Sequence, residues 1–499
     1  MMRALSSKIQ YLFSGLFAVV LVLVGIYGAR MIGLHWALGL AISVTLFAAL
    51  VFAFYGLSRL RARLKNAGTN RIIVAISAAV LIGICISAAL TQNEALPTDL
   101  RSIDTSARIL SGNWDADNIK ILSEFVNVEG ETVSVNLWEY FQTYPFNTNL
   151  LLILTCIYKL GMSPVWVNAF LLFASYVLTV LTAKKIYKSN ADVILTAAAA
   201  ALFPVFYGYV SVYYTDTFGM AFVILSVYLA VCAMKSGKVW LMALSAIAAA
   251  CGNFFKNNVI ILAIALVLFV IYRVKETGLK KALAYALVFV SIFAVLGAAF
   301  QFGVSKTGIY TPDSLNKYEI PKSHWIMMGL GGIGDYSQED YLMTFNAGSY
   351  DEKVDMNTRV IKERLGGFNV LSFTKHIFYE KAARTWGDGA YLISYYHPKN
   401  AFFDNGVFIA FSLLINGLLV FGIAASFLRG ARGGEDDFLL LPKLVICGVF
   451  LLYLIWETRS RYLVLFSPMY LLTFASGVTS FSAFKRPKAI ETPSNERGT

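Results

Sequence analysis

The sequence predicts an all-α polytopic membrane protein with about twelve transmembrane helices, and three observations carry that expectation. Of its 499 residues 58% are hydrophobic and only 14% charged, far from the roughly half-apolar composition of soluble domains. Apolar runs of about 20 residues, the length needed to cross a hydrocarbon core of roughly 30 Å, recur along the chain. The basic residues between these runs fall in alternate loops, as the positive-inside rule requires of a membrane protein.

Taken in order, spans are expected at 11–33, 36–57, 72–91, 164–183, 191–210 and 216–234. Six more follow at 239–254, 257–273, 280–301, 406–428, 438–456 and 461–482. Arg3 and Lys8 precede the first, but its apolar stretch is longer than the roughly 7–15 residues of a signal-peptide core, so it reads as a transmembrane helix. A cytoplasmic N-terminus puts Arg59, Arg61, Arg63, Lys65 and Arg71 inside, with Lys184, Lys185 and Lys188. It also puts Arg273, Lys275, Lys280, Lys281, Arg429, Arg432 and the tail residues Lys485, Arg486 and Lys488 inside. The apolar segment 147–160 would break this alternation if it spanned. At about 14 residues it suits an interfacial or re-entrant helix instead. Both termini are then cytoplasmic and the protein is a multi-pass protein of the plasma membrane.

The chain therefore divides into an N-terminal group of three helices (1–91), a first outer loop with juxtamembrane helices (92–163) and helices four to nine (164–301). A large outer loop (302–405), helices ten to twelve (406–482) and a cytoplasmic tail (483–499) complete it. The formal net charge of +12 is a topology signal and argues against nucleic acid as a partner. The five cysteines all lie in apolar stretches with no disulfide or zinc spacing, and the four histidines form no pair on one helix face. Membrane lipids are the expected surroundings.

The two outer loops are long for connectors without a role, and candidate functional residues concentrate there. In the first, Ile103, Ala107 and Leu110 recur at helical spacing, which predicts a short surface helix with Asp99 in its first turn and Asp104 on the next. Asp99 would complement the helix dipole or act as a base. Downstream, Trp138–Asn147 breaks at Pro145 ahead of the short apolar helix. Tyr213-Tyr214-Thr215-Asp216 lies at the outer end between the fifth and sixth spans, where a carboxylate at the membrane edge is costly and often functional. Lys256 is an outward-facing cation between spans, with snorkelling as its simplest explanation. Trp456-Glu457-Thr458-Arg459-Ser460-Arg461-Tyr462 places two arginines outside, against the charge rule. Their planar forks suit phosphate oxygens, and lipid-headgroup anchoring is the competing use. In the large loop His324, Trp325, Trp386 and Asp388 combine aromatic faces with hydrogen-bonding groups, as sugar recognition requires.

These patterns resemble one family. An acidic residue after a span, apolar residues four and eight positions later, then Gly112 and Tyr144-Pro145-Phe146-Asn147 before a short helix, are similar to GT-C superfamily membrane glycosyltransferases. The branches it resembles are the protein O-mannosyltransferase and aminoarabinose-transferase-like ones, of the family 39 type. The resemblance covers about 72–260 and the last span. It implies a GT-C-like bundle with the large loop between spans nine and ten, and a polyprenyl-phosphate sugar as donor. On its implications Asp99 is the catalytic residue, with Asp216 beside it and Asp104 as second choice. Arg459, Arg461 and Lys256 would bind the donor phosphate, while His324, Trp325, Tyr144, Asn147, Trp386 and Asp388 would bind sugar or acceptor. Some members use a divalent cation, and the sequence does not choose. The acceptor is a glycan, lipid or protein. Two spans precede the usual first one, and Thr143-Tyr144-Pro145 replaces a Lys-Pro-Pro found in some relatives. Readings from other classes are a lipid-linked-oligosaccharide flippase or transporter, which internal repeats with matching helix breaks would favour, and a membrane acyltransferase, which wants a His or Ser constellation.

Overall fold

The computed structural model describes residues 2–31, 35–65, 68–94, 96, 98–126, 132–398 and 400–481. The expected cytoplasmic tail lies outside them. The chain opens with three long apolar helices, α1 (Met2–Met31), α2 (Trp36–Leu64) and α3 (Thr69–Thr91). The first loop contributes α4 (Thr98–Gly112) and a small antiparallel hairpin of β1 (Leu122–Val126) and β2 (Thr132–Asn136), with Leu122 opposite Asn136. It ends in α5 (Leu137–Thr143) and α6 (Thr148–Lys159). The hairpin is an addition to the all-α expectation.

Then come α7 (Pro164–Ile186), α8 (Asn190–Ala201), α9 (Thr215–Ser236), α10 (Val239–Phe255), α11 (Ile260–Tyr272) and α12 (Leu279–Ser305). After a loop of short helices the bundle closes with α13 (Gly406–Ala431), α14 (Leu440–Ile455) and α15 (Ser467–Phe481). Among the described residues nine helical stretches are long and apolar enough to cross a membrane. Three of the twelve expected spans are shorter apolar helices, Asn190–Ala201, Val239–Phe255 and Asn257–Tyr272.

The fifth expected span has a physical reason for falling short. Pro204 lacks an N–H and disfavours helix in the residue before it, so α8 stops at Ala201. The chain continues as a four-residue helical turn, Val205–Gly208, and then as irregular backbone into α9. Irregular backbone at membrane depth must be satisfied by protein. Asn168 of α7 supplies this, donating from Nδ2 to the carbonyls of Tyr209 at 2.7 Å and Val210 at 2.9 Å.

The last helical stretch, Ser460–Phe481, is 94% buried over its apolar window, whereas Leu279–Ser305 is 11% buried. The former is the axis of the bundle and the latter lines its rim. Apolar burial alone does not drive helices together in lipid, so close packing of small residues does much of the work. Gly422 and Gly477 show this where α13 meets α15: a Cβ on Gly477 would sit 2.2 Å from the Gly422 oxygen.

The two ends of the bundle differ in character. At one end the basic segments meet acidic partners. Arg61 pairs with Asp192 at 2.5 Å and Arg3 with Glu276 at 2.7 Å, while Lys443 is buried against Glu435. From that end α1 runs to Tyr27, whose ring meets Tyr379 of the large loop at 5.7 Å. The other end carries both loops, packed on one another. Gln142 donates to the Ile309 carbonyl, and the Ile320 N–H donates to the Thr143 carbonyl at 3.2 Å.

Candidate functional site

The large loop builds the site by holding the segment between α14 and α15. The Glu457 N–H donates to the Trp325 carbonyl at 2.9 Å and the Thr458 N–H to the Gly334 carbonyl at 2.7 Å. Lys381 donates from Nζ to the carbonyls of Gly329 (2.7 Å) and Trp456 (2.9 Å), and burial pushes its ammonium down to about 7. It sits on a stretch of π-helix, His376–Ala382, a geometry common at functional sites. Gly329 is needed at this junction, because a Cβ there would lie 2.5 Å from the Ile455 oxygen.

Held this way, Arg459 and Arg461, both expected at the donor phosphate, face different partners. Arg459 Nε lies 3.1 Å from both Asp335 Oδ1 and Glu457 Oε1. Burial holds the Glu457 carboxyl above its usual range, and the Tyr462 hydroxyl donates to it at 3.0 Å. Arg461 turns inward. Its Nη1 donates to the Tyr396 hydroxyl at 2.8 Å, its guanidinium lies 5.0 Å from the Tyr214 ring, and its Nε stands 3.8 Å from Asp216 Oδ2.

Asp216 is fully buried and pairs with Lys256 Nζ at 3.0 Å. The two meet because α9 and α10 cross on glycines: a Cβ on Gly219 would touch Leu465 at 2.8 Å, with the Gly252 oxygen and Lys256 Cβ just beyond. Neither carboxylate oxygen of Asp216 has a well-aligned hydrogen bond, and Arg461 Nε and Asn147 Oδ1 are likewise buried without one. Buried polar atoms are normally satisfied, so Asp216 and Arg461 Nε, 3.8 Å apart, retain capacity for a further polar group. Lys256 is thus tied into an ion pair as well as placed at the end of α10.

Asp99 lies in the first turn of α4 and is half-buried. Among the described residues it enters none of the ion pairs that hold Asp104, Asp216 and Asp335. Its charge acts on the phenols of Tyr140, Tyr144, Tyr214, Tyr336 and Tyr341, adding to the effect of burial on each. Burial, then neighbouring charge, pushes Tyr144 well up and Tyr341 up to about 12. Through two of these rings Asp99 neighbours the arginines. Tyr214 packs on Arg461, and Tyr336 lies 5.7 Å from the guanidinium of Arg459. Asn147 donates from Nδ2 to the hydroxyl of one of these phenols, Tyr140, at 2.6 Å.

Other expected site residues have structural partners. Asp104 is buried and accepts from Arg108 Nε at 2.7 Å, from the Tyr213 hydroxyl at 2.7 Å and from the Tyr158 hydroxyl, tying α4 to α6 and to the chain before α9. His324 is buried on Thr344 at 2.7 Å, which in turn donates to Asn357 at 2.9 Å. Burial pushes its imidazole down to about 4, so it is neutral near pH 7. Trp386 packs in the core against Phe17 at 5.0 Å and Tyr470 at 5.4 Å. Trp325 is half-buried and stacked on Trp456, with centroids 5.8 Å apart and planes 4° apart, beside Phe146 at 6.3 Å.

Next to Arg459 a cavity of about 280 Å³ opens among Asp335, Arg384, Asp388, Tyr395 and Ser460. Arg384 donates to Asp335 Oδ2 at 2.5 Å. Asp388 accepts from the Ser460 hydroxyl at 2.5 Å and from the N–H groups of Ala390 (3.1 Å) and Leu392 (3.2 Å). Those contacts brace a strained turn. Tyr391 (φ 52°) and Leu392 (φ 61°) are consecutive non-glycine residues in the left-handed region, at a cost of about 1–3 kcal/mol each. Sequence reasoning passed over Arg384, Lys381 and Asp335 as site residues. The signal was present, since cations in a loop read as lying outside need the same explanation as Arg459.

Among the described residues no group of three His, Cys, Asp or Glu side chains is arranged to hold a metal ion. No curated protein matches the sequence. Residues 110–480 match a family model described as conserved hypothetical integral membrane protein, and the chain belongs to that family.

Proposed function

We propose that this protein is a glycosyltransferase that moves a sugar from a polyprenyl-phosphate donor to an acceptor hydroxyl on the extracytoplasmic face of the plasma membrane. The observation that carries the reading is that Asp99, which enters no ion pair among the described residues, acts electrostatically on the phenols of Tyr214 and Tyr336, and that Arg461 and Lys256 lie over the first ring and Arg459 over the second. A displacement at an anomeric carbon needs that pairing. Asp99 takes the proton from the acceptor hydroxyl as general base. The acceptor oxygen then forms its bond to the anomeric carbon as the bond to the phosphate oxygen breaks, with inversion. Arg461, Arg459 and Lys256 receive the charge that develops on the departing polyprenyl phosphate. Asp216 holds Lys256 and Arg461 in position, so it is a positioning residue in this scheme. A divalent cation, if one takes part, would supply further charge to the same phosphate.

The broken helix at Pro204 and the buried Asp216–Lys256 pair favour a second reading, a lipid-linked-oligosaccharide flippase, because interrupted helices and buried charges also build transport sites. The two readings differ in chemistry. Full-length protein in lipid nanodiscs is given polyprenyl-phosphate hexose and pentose donors with a crude cell-envelope acceptor fraction, and free polyprenyl phosphate is measured. Release of polyprenyl phosphate supports transfer. Donor left chemically intact, with translocation across proteoliposomes, supports the flippase.

A further inference from the structure

Resting on that reading, we infer that the cavity among Asp335, Arg384, Asp388, Tyr395, Arg459 and Ser460 is a saccharide subsite, and that the acceptor is therefore a glycan. Its volume of about 280 Å³ lies just under the roughly 300–1,000 Å³ of sites for drug-sized molecules, which suits one sugar ring better than an extended peptide or an acyl chain.

Its charge is balanced. Asp335 is neutralised by Arg384 and Arg459, and Asp388 is held by two backbone N–H groups and a hydroxyl. A phosphate or a phospholipid headgroup entering the cavity would meet both carboxylates. A neutral polyol meets what it needs, because each of its hydroxyls donates to a carboxylate oxygen and accepts from a guanidinium. Arg384 lines the cavity and its guanidinium supplies donors for this purpose. Tyr395, 43% exposed, offers an aromatic wall to the C–H face of the ring, the amphipathic role aromatic residues fill at binding surfaces.

The subsite also has the right address. Arg459 forms one wall of the cavity and packs on Tyr336, which feels the charge of Asp99. In the proposed pose a saccharide seated in the cavity lies against Arg459 and extends its next ring, with the reacting hydroxyl, to the Tyr336 side of that residue. Leu392 of the strained turn lines the same cavity.

The test uses the full chain in nanodiscs on a printed array that carries neutral oligosaccharides, Ser/Thr peptides and phosphatidylglycerol. The inference expects capture by at least one oligosaccharide, weakened about tenfold or more by Asp388→Asn and by Tyr395→Ala, as loss of a charged hydrogen bond or of an aromatic wall implies. Tyr395 is exposed enough that its alanine variant leaves the fold in place. Capture only by peptides or lipid, no capture above empty nanodiscs, or saccharide capture unchanged in both variants overturns the inference. Donor turnover without saccharide capture removes the subsite and leaves the transferase reading. Saccharide capture without donor turnover does the reverse.

Discussion

Lys256 Nζ stands 3.0 Å from Asp216 Oδ1 at the point where α9 and α10 cross on Gly219 and Gly252. Breaking a buried pair leaves an uncompensated charge and costs about 3–5 kcal/mol. Asp216→Asn is therefore expected to destabilise the protein by that order, and Lys256→Met by a similar amount. The double variant should lose less than the two single losses combined, because neither charge is then left facing an empty place. Thermal unfolding in detergent across the four proteins measures the coupling, and strict additivity would show that the pair does not interact.

Asp104 should separate stability from chemistry. It accepts from Arg108, Tyr158 and Tyr213, so Asp104→Asn is expected to cost about 2–3 kcal/mol, the scale of lost hydrogen bonds to a charged group. Donor turnover per folded molecule should stay within about tenfold of the wild type, far from the 10²–10⁴-fold worth of a general base. A larger fall in a folded variant would move the base from Asp99 to Asp104.

The two tryptophans proposed for sugar binding are expected to behave differently. Trp386→Ala opens a hole in the core beside Phe17 and Tyr470 and should cost about 3–5 kcal/mol. Trp325→Ala removes one half of a stacked pair with Trp456, worth about 0.5–1.5 kcal/mol beyond its buried area. It should raise the KM for donor or acceptor with kcat little changed. Equal losses of stability in both variants would place Trp325 in the packing as well.

His324 predicts an acid-sensitive loop. Its folded pKa of about 4 lies below the ordinary 6.5, so between these values the unfolded chain binds more protons than the folded one. Stability is then fully present above about 6.5 and falls as the pH drops toward 4, by about 1.4 kcal/mol per unit of separation. His324→Gln, which has no titrating group there, should show a flatter dependence across that window. Identical pH profiles would mean that the imidazole is not the group responsible.

The all-α, multi-pass character of the fold was legible in the sequence because lipid demands long apolar helices. The fifth span was misjudged in length because hydropathy does not register what Pro204 does to the backbone, or that Asn168 pays for the irregular chain beyond it. The short helix at 147–160 was expected and is α6, which packs on α4. The hairpin of β1 and β2 went unread, since Phe125, Val133 and Val135 on its one half-buried face make only a brief alternation. At the site, position beside a membrane span pointed to Asp99, Asp216, Lys256, Arg459 and Arg461. Partners were not legible, because they come from far along the chain: Asp335 for Arg459, Tyr396 for Arg461 and Tyr213 for Asp104. Composition also overstated Trp386, whose burial depends on α1 and α15 folding around it.

The central claim is that Asp99 is the base of a sugar transfer. Its most direct test is the rate at which nanodisc-reconstituted Asp99→Asn releases polyprenyl phosphate from a polyprenyl-phosphate sugar, beside the wild type at equal unfolding temperature. Because Asp99 has no ion-pair partner among the described residues, the variant is expected to fold normally and to release polyprenyl phosphate at least about 100-fold more slowly. A folded Asp99→Asn that turns over donor at the wild-type rate would contradict the assignment.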